Sequence, residues 1–147
     1  MKQIKNILTI FIFSICSSAF AQNNSGIIGD WYNEEKDAII NIYEENNTFF
    51  GKIVWMKFPN DENGNAKTDP LNPDEKLRKR PRQGMVIMTN FQMNEDNIFE
   101  EGKIYDPKSG KTYDGNITLV NSNTLDLRGY VGHPIFGRTS TWSRKID

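Results

Sequence analysis

From residue 28 onward the chain runs in short stretches of alternating apolar and polar positions, rich in β-branched and aromatic side chains and separated by Gly, Asn, Asp and Pro. A period of two turns one face of each stretch toward a core and the other toward water, which is the pattern of half-buried strands. Candidate strands fall at 28–32, 38–44, 48–56, 85–91, 98–105, 112–119, 124–131 and 139–145. No stretch keeps the 3.6-residue period of a long amphipathic helix.

The junctions predict how these strands pair. Glu45-Asn46-Asn47, Asp106-Pro107-Lys108-Ser109-Gly110 and Asn121-Ser122-Asn123 carry residues that tolerate positive φ or preset a turn. Successive strands should therefore pair antiparallel. About eight strands joined mainly by tight turns suit a closed up-and-down barrel, which removes exposed edges and can hold one small ligand. A two-sheet sandwich is the alternative.

One connection, 57–83, is much longer and holds Pro59, Pro70, Pro73 and Pro81. Loops of this length are commonly functional. Within it, Asn72-Pro73-Asp74-Glu75 predicts a short helix, with Asn72 as N-cap, Pro73 at the first helical position and Pro81 ending it.

The segment before the first strand reads differently. Lys2 and Lys5 precede an apolar run from Ile7 to Ile15, followed by Ser17-Ser18-Ala19-Phe20-Ala21. This is the order of a cleaved secretory signal, so 1–21 is expected to be a signal peptide and 22–147 a single all-β domain, exported to the periplasm or beyond the cell. The apolar run is shorter than the roughly 20 residues a membrane helix needs, and no later stretch replaces it. Ile15 occupies the place before Cys16 where lipid attachment needs a small residue.

Cys16, the sole cysteine, goes with the signal peptide, which excludes disulfides and thiolate chemistry from the exported domain. Losing Lys2 and Lys5 leaves a formal charge of about −3, against the basic surplus expected of a nucleic-acid binder.

Few constellations suggest chemistry. Asp61, Asn63 and Asn65 have calcium-loop spacing, but Ala66 and Asn72 stand where such a loop needs Gly and Glu. The lone His133, in Gly132-His133-Pro134, cannot supply a zinc site and reads as a turn residue. No nucleophile elbow, P-loop or zinc-protease motif occurs. Tyr105, Asp106, Arg128 and His133 are polar groups in motif-rich turns, and nothing joins them into a catalytic set. No cofactor, metal or enzymatic activity is expected.

Two binding readings remain. Arg78, Arg80 and Arg82, with Lys76 and Lys79, form the only basic cluster, which could grip an envelope protein or an anionic polymer. The aromatics on predicted strands, including Trp55, Tyr113, Tyr130 and Trp142, could line a pocket for a small apolar or amphipathic ligand, with Arg128 and Arg138 as polar anchors. Alternation on the last strand puts Arg138, Ser140, Trp142 and Arg144 on one face, the two arginines roughly 20 Å apart and so at opposite barrel ends. One of them, stacked on the indole of Trp31 and bonded to carbonyls, would plug that end.

Gly29-Asp30-Trp31, the run N-P-D-E-K-L-R-K-R-P-R-Q-G from Asn72, G-K-I-Y-D-P-K-S-G-K-T-Y from Gly102 and L-R-G-Y-V-G-H-P-I-F-G-R-T-S-T-W from Leu127 together resemble an exported bacterial family catalogued as domain of unknown function 2147. The resemblance spans nearly all of 22–147 and implies localisation and domain extent but no activity. The opening Gly-x-Trp and the arginine near the last strand also resemble the calycins, meaning lipocalins and related small barrels. That likeness implies an up-and-down barrel with a ligand pocket, and Trp31 with Arg144 or Arg138 as its plug.

Overall fold

The computed structural model describes residues 26–94, 96 and 98–146, so the expected signal peptide at 1–21 lies outside the described residues. The strands are β1 (Gly29–Tyr32), β2 (Ala38–Glu45), β3 (Thr48–Met56), β4 (Val86–Met93), β5 (Ile98–Asp106), β6 (Lys111–Asn121), β7 (Thr124–Tyr130) and β8 (Arg138–Arg144). Each pairs antiparallel with the next, and β8 returns to β1 through Trp31 opposite Arg144 and Tyr32 opposite Ser143. The sheet is a closed eight-stranded up-and-down barrel, which settles the choice against a sandwich.

Local chemistry sets the hairpins. Asn46 and Asn47 both hold positive φ (52° and 59°) between β2 and β3, as a two-residue turn matched to strand twist requires. Between β5 and β6, the Asp106 carboxylate accepts from the Lys108 amide (2.8 Å) and the Ser109 hydroxyl (2.7 Å).

The expected helix in the long connection is a single 3-10 turn, Glu75–Leu77, capped by Asp74 rather than Asn72. Asn72 is diverted: its amide donates to Asp69 (2.7 Å) and to the Tyr105 hydroxyl (3.2 Å). A second 3-10 turn, Pro134–Phe136, joins β7 to β8, with the His133 side chain as its cap.

Apolar side chains point inward, the reverse of a barrel that faces lipid. The core is Ile27, Trp31, Ile40, Ile42, Phe49, Met88, Phe91, Phe99, Ile117, Leu125, Leu127 and Trp142. Phe91 lies across the interior because Gly102 leaves it room: a Cβ there would meet the ring at 2.3–2.4 Å. The aromatics Phe49 and Phe99 pack edge to face 5.0 Å apart. Among the described residues, no helix is long and apolar enough to cross a membrane.

Candidate functional site

The two barrel ends differ. At the end holding the β2–β3 and β6–β7 turns, Trp31 is fully buried and its indole N–H donates to the Ile27 carbonyl (2.8 Å). The Arg144 guanidinium lies 4.1 Å from the centre of that indole. Its nitrogens donate to the carbonyls of Ser122 (2.5 Å), Ile28 (3.0 Å) and Gly26. Burial pushes the Arg144 pKa down, and the carbonyls and the ring face offset the cost of holding a cation there. Gly29 is a glycine because its φ is 131° and a Cβ would sit 2.8 Å from an Arg144 nitrogen. This end is shut.

The opposite end carries the β1–β2 turn, the long connection, the β5–β6 turn and the β7–β8 loop, and it opens into a cavity of about 550 Å³. Ile40, Ile53, Ile104, Leu127 and Trp142 form apolar walls, and Met56 and Phe58 continue them toward the mouth. The buried Trp142 donates its indole N–H to the Ser140 hydroxyl (3.0 Å), so the polar edge of the largest wall residue is already satisfied. Charge is confined to the rim. Arg138 pairs with Glu34 (3.4 Å) and Lys108 with Asp37 (3.7 Å), while Lys67 and Arg82 also reach the opening. An apolar chamber with its charged groups at the mouth can take an apolar body and leave a polar end outside.

Of the residues expected to meet a ligand, Tyr113, Arg138 and Trp142 line this cavity. Trp55, Arg128 and Tyr130 do not. Ile40 pairs with Ile53 and Ile39 with Trp55, so Val54 is an extra residue that reverses the alternation of β3. Trp55 consequently faces outward, edge-on to Tyr32 at 6.4 Å, and Met56 takes the inward place. On β7 the inward set is Leu125, Leu127 and Gly129, which leaves Arg128 and Tyr130 on the outer face. Arg128 donates there to the carbonyls of Pro134 (2.7 Å) and Ile135 (3.3 Å) and to the Thr139 hydroxyl (2.8 Å). Tyr130 bonds the Asn116 side chain (3.3 Å).

The loop arginines lie against their own loop. Arg78 donates to the Asn72 carbonyl (2.9 Å) and pairs with Glu75, and Arg82 donates to the Thr68 carbonyl (2.7 Å). Arg80 pairs with Asp69 at 3.2 Å. Sequence reasoning missed Asp69, a fully buried carboxylate that also accepts from the Tyr105 hydroxyl (2.7 Å) and Asn72 (2.7 Å). Burial alone would raise its pKa, but these donors outweigh burial and hold it below the ordinary carboxylate value. Tyr105 moves the other way, raised by burial and by the neighbouring carboxylate. Together they fasten the long connection to β5 beside the mouth. Of the remaining turn residues, Asp106 caps its own hairpin and His133 accepts from the Ile135 amide (3.3 Å). Among the described residues, no group of His, Cys, Asp and Glu is placed to hold a metal ion.

A barrel plugged by arginine on tryptophan at one end and open to an apolar chamber at the other is a lipocalin-like architecture, suited in general to ligand binding. The solved structure of protein HP1028 from Helicobacter pylori, described as belonging to the lipocalin family, is similar: TM-score 0.69 and 28% identity, over 82% of this chain and 83% of that one. Residues 29–144 match the family described as an uncharacterized protein conserved in bacteria, domain of unknown function 2147, and the chain belongs to that family. A comparison with the curated proteins finds no match.

Proposed function

We propose that this is an exported, non-enzymatic binding protein of the cell envelope that holds a small apolar or amphipathic ligand in the barrel, its polar end at the mouth. The carrying observation is the one-ended chamber of about 550 Å³ with apolar walls and a charged rim. Its size falls within the roughly 300–1,000 Å³ of small-molecule sites. The order of basic, apolar and small residues over 1–21 supports export.

Native mass spectrometry of the purified protein should reveal a co-purified small molecule or uptake of a fluorescent fatty-acyl probe. Gly129→Leu should abolish uptake without unfolding, because a Cβ at Gly129 meets its nearest neighbours, Ile104 and Tyr113, only at 3.7 and 3.8 Å and the added side chain would enter the chamber. A protein that carries nothing and takes up no probe would refute the reading. Cell fractionation with and without residues 1–21 tests export.

A further inference from the structure

The β7–β8 loop stands at the open end of the barrel, between the cavity-lining Gly129 and Arg138, and exposes an unusual set of side chains. Val131, Ile135 and Phe136 are 71%, 72% and 83% exposed, and Phe58, also at the mouth, is 61% exposed. Single exposed apolar residues are ordinary, but several gathered at one end mark a contact surface.

The backbone of this tip is prepared to leave water. The Pro134 carbonyl accepts from Arg128 (2.7 Å) and the Gly137 amide (3.0 Å), and the Ile135 carbonyl from Arg128 (3.3 Å). The Ile135 amide donates to His133 Nδ1 (3.3 Å) and the Phe136 amide to the His133 carbonyl (3.1 Å). An apolar medium penalises unsatisfied backbone groups, and these groups are already paired. Arg128 thus ties the tip to the outer face of β7.

Charge close to the exposed apolar side chains favours an anionic surface. No Asp or Glu occurs from Arg128 to Ile146. Across the mouth, the Lys57 and Lys67 ammonium groups lie 5.5 and 5.8 Å from the Phe58 ring, cations flanking an apolar anchor. Four carboxylates share this rim, and each is engaged: Glu34 with Arg138, Asp37 with Lys108, Glu35 accepting from the Asn33 amide group (2.9 Å) and Asp106 from its own hairpin.

We propose that Val131, Ile135 and Phe136, with Phe58 and its two lysines, dock the cavity mouth onto the surface of an anionic lipid bilayer. Apolar side chains enter the interface while lysines meet headgroups, the arrangement of peripheral proteins that lie on a membrane without spanning it. The mouth would then face the bilayer. This goes beyond the binding reading and does not rest on it.

The test is co-sedimentation of the purified protein with vesicles of phosphatidylethanolamine and phosphatidylglycerol, against neutral phosphatidylcholine vesicles. The protein should bind the anionic vesicles more tightly. Ile135→Ser with Phe136→Ser should weaken binding about tenfold or more, from the loss of two buried apolar side chains. Val120→Ser, equally exposed in kind but at the plugged end, should leave it unchanged. Absence of vesicle binding, or binding indifferent to the tip substitutions, would overturn the proposal. So would a dimer, seen by analytical ultracentrifugation, that the same substitutions dissociate, since the tip would then belong to a second copy. Cavity occupancy is read by mass without vesicles, so failure of one reading is distinguishable from failure of the other.

Discussion

Asp69→Asn preserves side-chain volume but removes the charge on which Tyr105, Asn72 and Arg80 converge. The amide keeps one acceptor oxygen and turns an N–H₂ toward groups that are themselves donors. A hydrogen bond to a charged group is worth about 1.5–3 kcal/mol, and of the two such bonds at 2.7 Å one is lost while the other weakens to a neutral bond of about 1 kcal/mol. The Arg80 side chain is 34% exposed, so water compensates for much of its loss and its share stays under about 1 kcal/mol. The expected cost is about 2–4 kcal/mol, a large fraction of the roughly 5–15 kcal/mol of an ordinary domain.

Urea unfolding followed by tryptophan fluorescence measures that cost, and amide exchange over 57–84 reports whether the long connection opens first. The effect must also depend on pH. The folded carboxyl has a lowered pKa, so its stabilisation is complete above the unfolded value of about 4. Below that pH the unfolded chain takes up the proton first, and the stabilisation drains away as pH falls through the folded value. The gap between the native protein and Asp69→Asn should be flat above about pH 5 and close under acid. A gap below about 0.5 kcal/mol at neutral pH, or one that persists unchanged through the acid limb, would refute the reasoning.

The plug makes a second prediction: Arg144→Ala should cost about 2–3 kcal/mol by urea denaturation, from the lost ring contact and carbonyl bonds less partial solvation, and Arg144→Lys should restore little because an ammonium cannot span the three carbonyls. Gly102→Ala forces a methyl into the Phe91 ring and should cost about 1–3 kcal/mol. Phe91→Leu in the same chain should recover part of that loss, and a double-mutant cycle showing strict additivity would refute the contact.

The barrel was legible because its determinants are local. Alternation gave the strands, Asn, Asp and Gly gave the turns, and eight strands joined mainly by tight turns leave few topologies. The Trp31–Arg144 plug was legible because both residues sit on edge strands that closure must join. Alternation on β7 also contained the outward placement of Arg128 and Tyr130, since Leu125 and Leu127 fix the inward parity. Trp55 was not legible in this way. The bulge at Val54 is one residue in a regular run, and nothing in the amino-acid pattern marks it. Asp69 was hidden for a different reason: its burial depends on Tyr105, which lies 36 residues away. The arginine cluster read as a grip for an outside partner because the carbonyls and carboxylate it holds are set by the fold of the loop, not by neighbouring residues in the chain.

The plug also governs the order in which the molecule can come into being. Arg144 ties the carbonyls of Gly26, Ile28 and Ser122 to the last strand, so the first and last strands of the barrel meet at a single side chain. Until β8 arrives, the Trp31 ring lacks its guanidinium and the sheet keeps two open edges. Contacts of such long sequence separation form slowly and late. A chain interrupted before Arg144 has hairpins but no seam, and the chamber exists only once that seam has closed.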